Sequence, residues 1–357
     1  MMESHIAILQ PLYPHYRDDF FKKLSSQIKG VSLYSYQKES KTYRQGFNTN
    51  IKSELIPCIE FGRILFYNPF TLLKPQYDIL VLMLNFAHIT TWLLLLTKFL
   101  HRKKIILWGQ GISVKRYLIE EKHPDWKLKW MIKLADGAWI YMDKECEQWR
   151  RVFPSKPIIS LGNSLSGITD MLNFRPTDTI DVLKQKYNIK QTNIYIFCAR
   201  FENQYRRIDI LEEIIKKLNP QNNGFIIIGA GKFKPDFTKY TNVYDFGAIY
   251  DIPIKQELFY ISDLYLQPGW VGLSIVEAMA YGKPICTFKR TRDTLQCVEY
   301  SYIEDGINGM IFNDLEDCLS RLEYLNKNDI IRMGTNARKT AMKYTPEKMV
   351  ENALKIF

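Results

Sequence analysis

Two α/β domains, each a parallel sheet flanked by helices, are predicted by three features of this sequence. Its 357 residues exceed the roughly 250 to 300 at which one hydrophobic core stops growing. Short apolar strands alternate with helical stretches along the whole chain, as crossover connections between parallel strands require. That alternation starts afresh after a polar stretch, Asn163 to Asp178. Two Rossmann-like domains follow, over residues 1–168 and 169–340, with 341–357 left as a terminal helical segment.

In the first half the strands are His5–Leu9, Ile79–Leu84, Lys104–Trp108, Gly137–Tyr141 and Pro157–Ser160. The most apolar segment, Ile79 to Leu100, has the length of a membrane span. Its texture is a buried strand, a loop at Asn85–His88, and a short helix from Thr90 that ends in basic residues. The helix face Trp92, Leu95, Leu96 and Phe99 is expected against a sheet, with contact to a bilayer as the alternative. The second series of strands is Asn193–Cys198, Gly224–Ile228, Val243–Phe246, Asp263–Leu266, Pro284–Thr287 and Gly309–Phe312, with helices near 207–218, 255–262, 274–281 and 314–326.

Composition narrows the function. The chain is 46% apolar and 24% charged, which excludes disorder, and its net charge is +11. Residues 1–170 hold 24 basic against 15 acidic residues, an excess of nine, whereas the remainder holds 25 against 23. A basic first half suits an anionic partner such as a membrane surface or a phosphorylated substrate. Nucleic acid is disfavoured, because no base-reading helix, zinc finger or aromatic RNA-binding strand accompanies the charge. The six cysteines form no C-x-x-C pair and no zinc spacing, so they read as reduced thiols. The N-terminal residues lack the pattern of a signal peptide, which predicts a cytoplasmic protein.

In an open parallel sheet, ligands sit beyond the carboxyl ends of the strands. There the second half carries Pro268-Gly-Trp-Val-Gly-Leu-Ser-Ile-Val-Glu277, a glycine turn leading into a helix with a carboxylate one turn in. Backbone N–H groups at Gly272, Leu273 and Ser274 can hold phosphate oxygens, and Glu277 can accept from two adjacent ribose hydroxyls. Arg200 follows the first strand, and Arg206 and Arg207 come shortly after, within reach of a diphosphate. Gly229 and Gly231 form a G-x-G turn after the next strand. In the first half, His15, Arg17 and His88 fall in loops at the same kind of strand end. So does Gln110, in Gly109-Gln-Gly111.

Taken together these pieces resemble the donor domain of GT-B-fold glycosyltransferases, particularly glycosyltransferase family 4. The similarity lies in Ala199-Arg200-Phe with Arg206, Ile228-Gly-Ala-Gly231, Val243 to Gly247, Ser262-Asp263-Leu-Tyr-Leu-Gln-Pro268, and Gly272 through Pro284. It covers most of 193–312, and the first half is similar more loosely through Pro14-His-Tyr-Arg17 and Leu107-Trp-Gly-Gln-Gly111. The resemblance implies two domains facing each other across a cleft, with the last helix, Pro346 to Phe357, crossing back to the N-terminal one. It implies that Arg200, Arg206 and Glu277 serve the reaction, and that Gly229, Gly231, Gly269, Gly272, Leu273 and Ser274 help to hold the donor. His15, Arg17, His88 and Gln110 would line the acceptor side or the cleft, with Arg17 placed to contact an acceptor phosphate or the donor.

The implied activity transfers a sugar, with retention and without a metal or other cofactor, from a nucleotide-sugar donor to a glycan or polyprenyl-linked acceptor in cell-surface polysaccharide synthesis such as capsule or lipopolysaccharide. The place would be the cytoplasm or the inner face of the membrane. A nucleotide-sugar epimerase and a non-catalytic nucleotide-sugar-binding protein are the alternatives. Two departures stand out: the position eight residues before Glu277, often Glu in the family, is Gly269, and Gln110 stands where a His is expected.

Overall fold

The computed structural model describes residues 2–36 and 49–357. The chain divides into two compact units. One comprises the residues up to Gly167 together with Thr345–Phe357, and the other comprises Ile168–Tyr344.

The first unit contains β1 (Met2–Gln10), β2 (Ile28–Ser35), β3 (Glu54–Leu55), β4 (Cys58–Phe61), β5 (Ile64–Tyr67), β6 (Ile79–Met83), β7 (Lys104–Gly109), β8 (Gly137–Ile140) and β9 (Ile158–Ser160). Its helices are α1 (Asp18–Gln27), α2 (Ile89–Leu96), α3 (Lys98–His101), α4 (Tyr117–Glu120), α5 (Trp126–Leu134) and α6 (Asp143–Val152). Seven strands form one parallel sheet in the order β3-β2-β1-β6-β7-β8-β9, while β4 and β5 pair antiparallel as a separate hairpin. The central strands are buried on both faces, which is why they read as unbroken apolar runs. Strand β2, Ile-Lys-Gly-Val-Ser-Leu-Tyr-Ser, carries no such run and β5 of the hairpin is buried on alternate residues only; both are additions to the sequence reading.

The segment Ile79–Leu100 is strand, loop and helix, as expected. The buried side of its helix differs from the expected one. Thr90, Thr91, Leu94 and Leu95 face the core, while Leu96 and Phe99 are exposed. The rotation follows from Thr90, whose hydroxyl donates to the Tyr67 carbonyl and accepts from the Tyr67 N–H, both at 2.9 Å, and fixes α2 to the hairpin. Among the described residues no helix is long and apolar enough to cross a membrane.

The second unit contains α7 (Ile168–Asn173), α8 (Ile180–Lys186), β10 (Asn193–Cys198), α9 (Ile208–Lys217), β11 (Asn223–Ile228), β12 (Val243–Asp245), α10 (Ile252–Ile261), β13 (Leu264–Leu266), α11 (Ser274–Ala280), β14 (Ile285–Phe288), β15 (Gly309–Phe312), α12 (Leu315–Glu323) and α13 (Lys327–Lys343). Its six strands form a parallel sheet in the order β12-β11-β10-β13-β14-β15. Both units are therefore Rossmann-like. In each, an aspartate just ahead of a strand caps the neighbouring strand: Asp78 accepts from the His5 N–H at 3.0 Å and Asp263 from the Ile194 N–H at 2.7 Å. The break drawn after residue 340 falls inside α13, so the second unit extends to Tyr344.

The last helix, α14 (Pro346–Leu354), begins at Thr345, whose hydroxyl accepts from the Lys348 N–H, and has proline in its first turn. It belongs to the first unit, where Met349, Val350 and Ala353 are buried in the same core as Trp108 and Trp139. The Trp139 indole donates to the Ala353 carbonyl at 3.2 Å.

Candidate functional site

Strand order reverses between β10 and β13, where one connection runs to β11 on one side and the other continues toward β14. Two loops cannot fill such a switch point, which is where doubly wound sheets bind ligands. The loop after β10 carries Arg200 and Arg206, and the loop after β13 carries Gly269 to Leu273 and leads into α11 with Glu277. The two loops touch, since the Gly269 N–H donates to the Arg206 carbonyl at 3.1 Å.

Two buried glutamines shape the second loop. Gln267 donates to the Gly269 and Trp270 carbonyls at 3.0 and 2.8 Å, and its oxygen accepts from Tyr265 and Ser274. Gln296 accepts from the Val271 N–H at 3.0 Å and donates to the Pro268 carbonyl at 3.1 Å. The backbone between is thereby held in an unusual path, with Trp270 in the left-handed region at φ 53° and its ring stacked on Tyr205. Gly269 is required by that path: a Cβ there would lie 2.4 Å from the Tyr205 carbonyl oxygen. A carboxylate side chain at this position thus has no room on this backbone.

Glu277 is buried to 8% exposure, and its carboxylate meets the Lys255 ammonium of α10 at 2.6 Å. Burial opposes the charge on Lys255, but neighbouring Cys198 and Glu277 more than offset it and raise its pKa above the ordinary lysine value. Burial also pushes the Cys198 thiol up to about 11. Lys255 was not among the residues singled out from the sequence, because a lysine in the first turn of a helix ordinarily reads as a solvated charge.

Arg206 is held below the ordinary arginine value by burial, and the positive charge of Arg200 acts in the same direction. Its Nε is buried without a hydrogen-bond acceptor. Two guanidinium groups close enough to repel, one with a buried donor unmet, form a site whose charge and hydrogen bonding an anion would complete. Arg207, by contrast, is engaged by Asp209 at 2.7 Å and by Thr294 at 2.8 Å. Gly229 and Gly231 adopt φ 147° and 148°, and a Cβ on them would strike the backbone of Ala199 and Phe201. Their part in this structure is to let the turn after β11 press against the Arg200 loop. A Cβ on Gly272 would meet only the Cys297 sulfur, at 4.0 Å, and Leu273 and Ser274 stand at the start of α11.

In the first unit the expected acceptor-side residues separate. His15 is exposed just beyond β1, and Gln110 is half-buried at the end of β7. Arg17 is buried and donates to Asn163, to the Ser164 carbonyl at 3.1 Å and toward the Met349 sulfur at 3.3 Å, pinning α14. His88 is likewise a core residue at 4% exposure, 3.4 Å from the Tyr36 hydroxyl. Burial lowers its pKa to about 4, which keeps the ring neutral near pH 7. Apolar neighbours on both sides of the Asn85–His88 loop override its loop character. Among the described residues, no group of three or more His, Cys, Asp or Glu side chains could hold a metal ion.

The family described as Glycosyl transferases group 1 matches residues 192–328, which lie within the second unit. The chain is 28% identical over 185 residues to the alpha-monoglucosyldiacylglycerol synthase of Acholeplasma laidlawii, a match that spans 48% of this chain and 44% of that protein. In fold it is similar to HepE of Anabaena in complex with UDP, with a TM-score of 0.68, 15% identity and coverage of 99% and 98% of the two chains. It is similar also to the lipopolysaccharide outer core galactosyltransferase WaaB, with a TM-score of 0.66, 15% identity and coverage of 99% and 98%. The expected GT-B class of fold, two Rossmann-like units, is what these likenesses share.

Proposed function

We propose that the chain transfers a sugar from a nucleotide-sugar donor to a glycan or lipid-linked acceptor in cell-surface polysaccharide synthesis. In this reading the donor occupies the switch point of the second unit. Arg200 and Arg206 receive the diphosphate, backbone near Gly272 and Leu273 adds N–H donors, and Glu277 accepts from the ribose hydroxyls. The observation that carries it is the buried, unmet Nε of Arg206 beside a second guanidinium. The domain match over residues 192–328 supports it, and so does the UDP bound to the similar HepE fold.

Breaking the anomeric bond leaves negative charge on the departing nucleoside diphosphate. Fixed guanidinium groups stabilise that charge as it forms, without reorganisation. We read the reaction as retaining and metal-independent, with the arginines supplying what a divalent ion would supply elsewhere. A peripheral position on an anionic membrane surface suits the basic first half and the lipid product named for the Acholeplasma relative.

Arg206→Ala tests the assignment. Calorimetry should show roughly tenfold or greater loss for a nucleoside diphosphate and a much smaller loss for the monophosphate, since a charge-assisted hydrogen bond contributes about 1.5 to 3 kcal/mol. Equal losses for the two would remove Arg206 from the diphosphate site.

A further inference from the structure

The β4–β5 hairpin presents an apolar face that no other described residue of the first unit covers. Ile59 pairs with Phe66 and Phe61 with Ile64, and directly opposed partners in an antiparallel pair point to the same side. All four are exposed, from 43% for Phe66 to 73% for Phe61. The opposite face is anchored, with Leu65 and Tyr67 buried in the core of the unit. The Leu65 N–H donates to the Ala87 carbonyl at 2.9 Å, and Tyr67 is bonded twice to Thr90. Four large apolar side chains are therefore held outward on a rigid mount, with Gly62 and Arg63 at the tip.

Further exposed apolar groups lie on the neighbouring helices of the same unit. Leu93 and Leu96 are exposed on α2, the helix to which the hairpin is bonded. Lys127 of α5 lies 4.6 Å over the ring of Phe86 in the loop leading to α2, next to exposed Trp126. Lys133 lies 4.6 Å over exposed Trp130. Tryptophans and lysines alongside aliphatic groups suit the headgroup boundary of a bilayer, where rings settle and ammonium groups reach outward. Residues 55–134 carry twelve lysines and arginines against five acidic residues, an excess of seven.

We propose that this face docks on an anionic lipid bilayer, with the apolar side of the β4–β5 hairpin inserted below the headgroups and the α2 and α5 surfaces resting among them. Charge decides between a bilayer and a second copy of the chain, because a self-pair through this face would set two cationic surfaces against each other. The inference rests on the membrane position proposed above and gives it a defined surface. It is independent of nucleotide binding by the second unit.

Flotation of the full chain with vesicles of equal parts phosphatidylglycerol and phosphatidylcholine tests it. The wild type should float, and Phe61→Asp with Phe66→Asp should lower the bound fraction at least about tenfold, as expected for losing two buried aromatic groups. Tyr324→Asp, at an exposed site of the second unit, should float like the wild type. An unchanged melting temperature and unchanged nucleotide affinity of the hairpin variant would exclude misfolding as the cause. Wild-type protein that ignores the vesicles, a hairpin variant that floats fully, or a hairpin variant that only turns an oligomer into a monomer by light scattering would overturn the proposal. Flotation without any nucleotide binding would leave it standing while removing the transferase reading.

Discussion

Glu277→Ala is expected to weaken nucleoside diphosphate binding roughly ten- to hundredfold, the range for losing hydrogen bonds to a buried carboxylate. The same change also strands the Lys255 ammonium, whose partner at 2.6 Å is removed. An unpaired buried charge costs about 3 to 5 kcal/mol, so the single variant should be less stable as well as a weaker binder. Lys255→Met combined with Glu277→Gln separates the two effects. Neutralising both partners should recover most of the lost stability, because no charge is left unmet. Affinity should stay low, because a carboxamide is a poorer acceptor for two ribose hydroxyls than a carboxylate. Full recovery of affinity in the double variant would make Glu277 a structural partner of Lys255 and nothing more.

Gly269→Ala should be the most disruptive small substitution in the site. The added methyl would sit 2.4 Å from the Tyr205 carbonyl oxygen and 2.9 Å from the Arg207 side chain, so the backbone between β13 and α11 must move. Relief requires breaking the contact from the Gly269 N–H to the Arg206 carbonyl, which sets the arginine loop after β10 against the glycine loop after β13. A loss of about 2 to 3 kcal/mol is expected, seen as a melting temperature lower by roughly 5 to 10 °C for a unit of this size. Nucleotide affinity should fall with it. Gly269→Glu should fare no better despite restoring the residue type common in the family. A gain of affinity in that variant would show that the loop has room for a side chain that the present backbone lacks.

The parallel sheets were legible because doubly buried strands leave continuous apolar runs, such as Ile-Leu-Val-Leu-Met in β6 and Asn-Ile-Tyr-Ile-Phe-Cys in β10. Strand β2 and the hairpin were not, since one is broken by Lys29, Gly30 and Ser32 and the other points half of its apolar residues to solvent. For the same reason the exposed face of α2 could not be told from its buried face: Leu94, Leu95, Leu96 and Leu93 are chemically alike, and the tie to Tyr67 that decides their orientation comes from a distant strand. Arg206, Glu277 and the glycine loop, candidates read from spacing along the chain, lie on two touching loops and the helix that follows the second. Lys255 and Gln296 escaped because their roles arise from burial against residues more than twenty positions away in the case of Lys255 and Val271 in the case of Gln296. Arg17 and His88 show the converse. Both lie just past strand ends, yet Asn163, Ser164 and Tyr36 claim them for the interior.

The central claim, that the switch point of the second unit holds the diphosphate of a nucleotide sugar, is tested most directly by calorimetric titration of UDP, GDP, ADP and CMP into the purified chain, with and without a divalent ion. Selective binding of one nucleoside diphosphate, equal in the presence and absence of the ion, is the predicted result. No binding to any of them, or binding that appears only with the ion, would contradict the account.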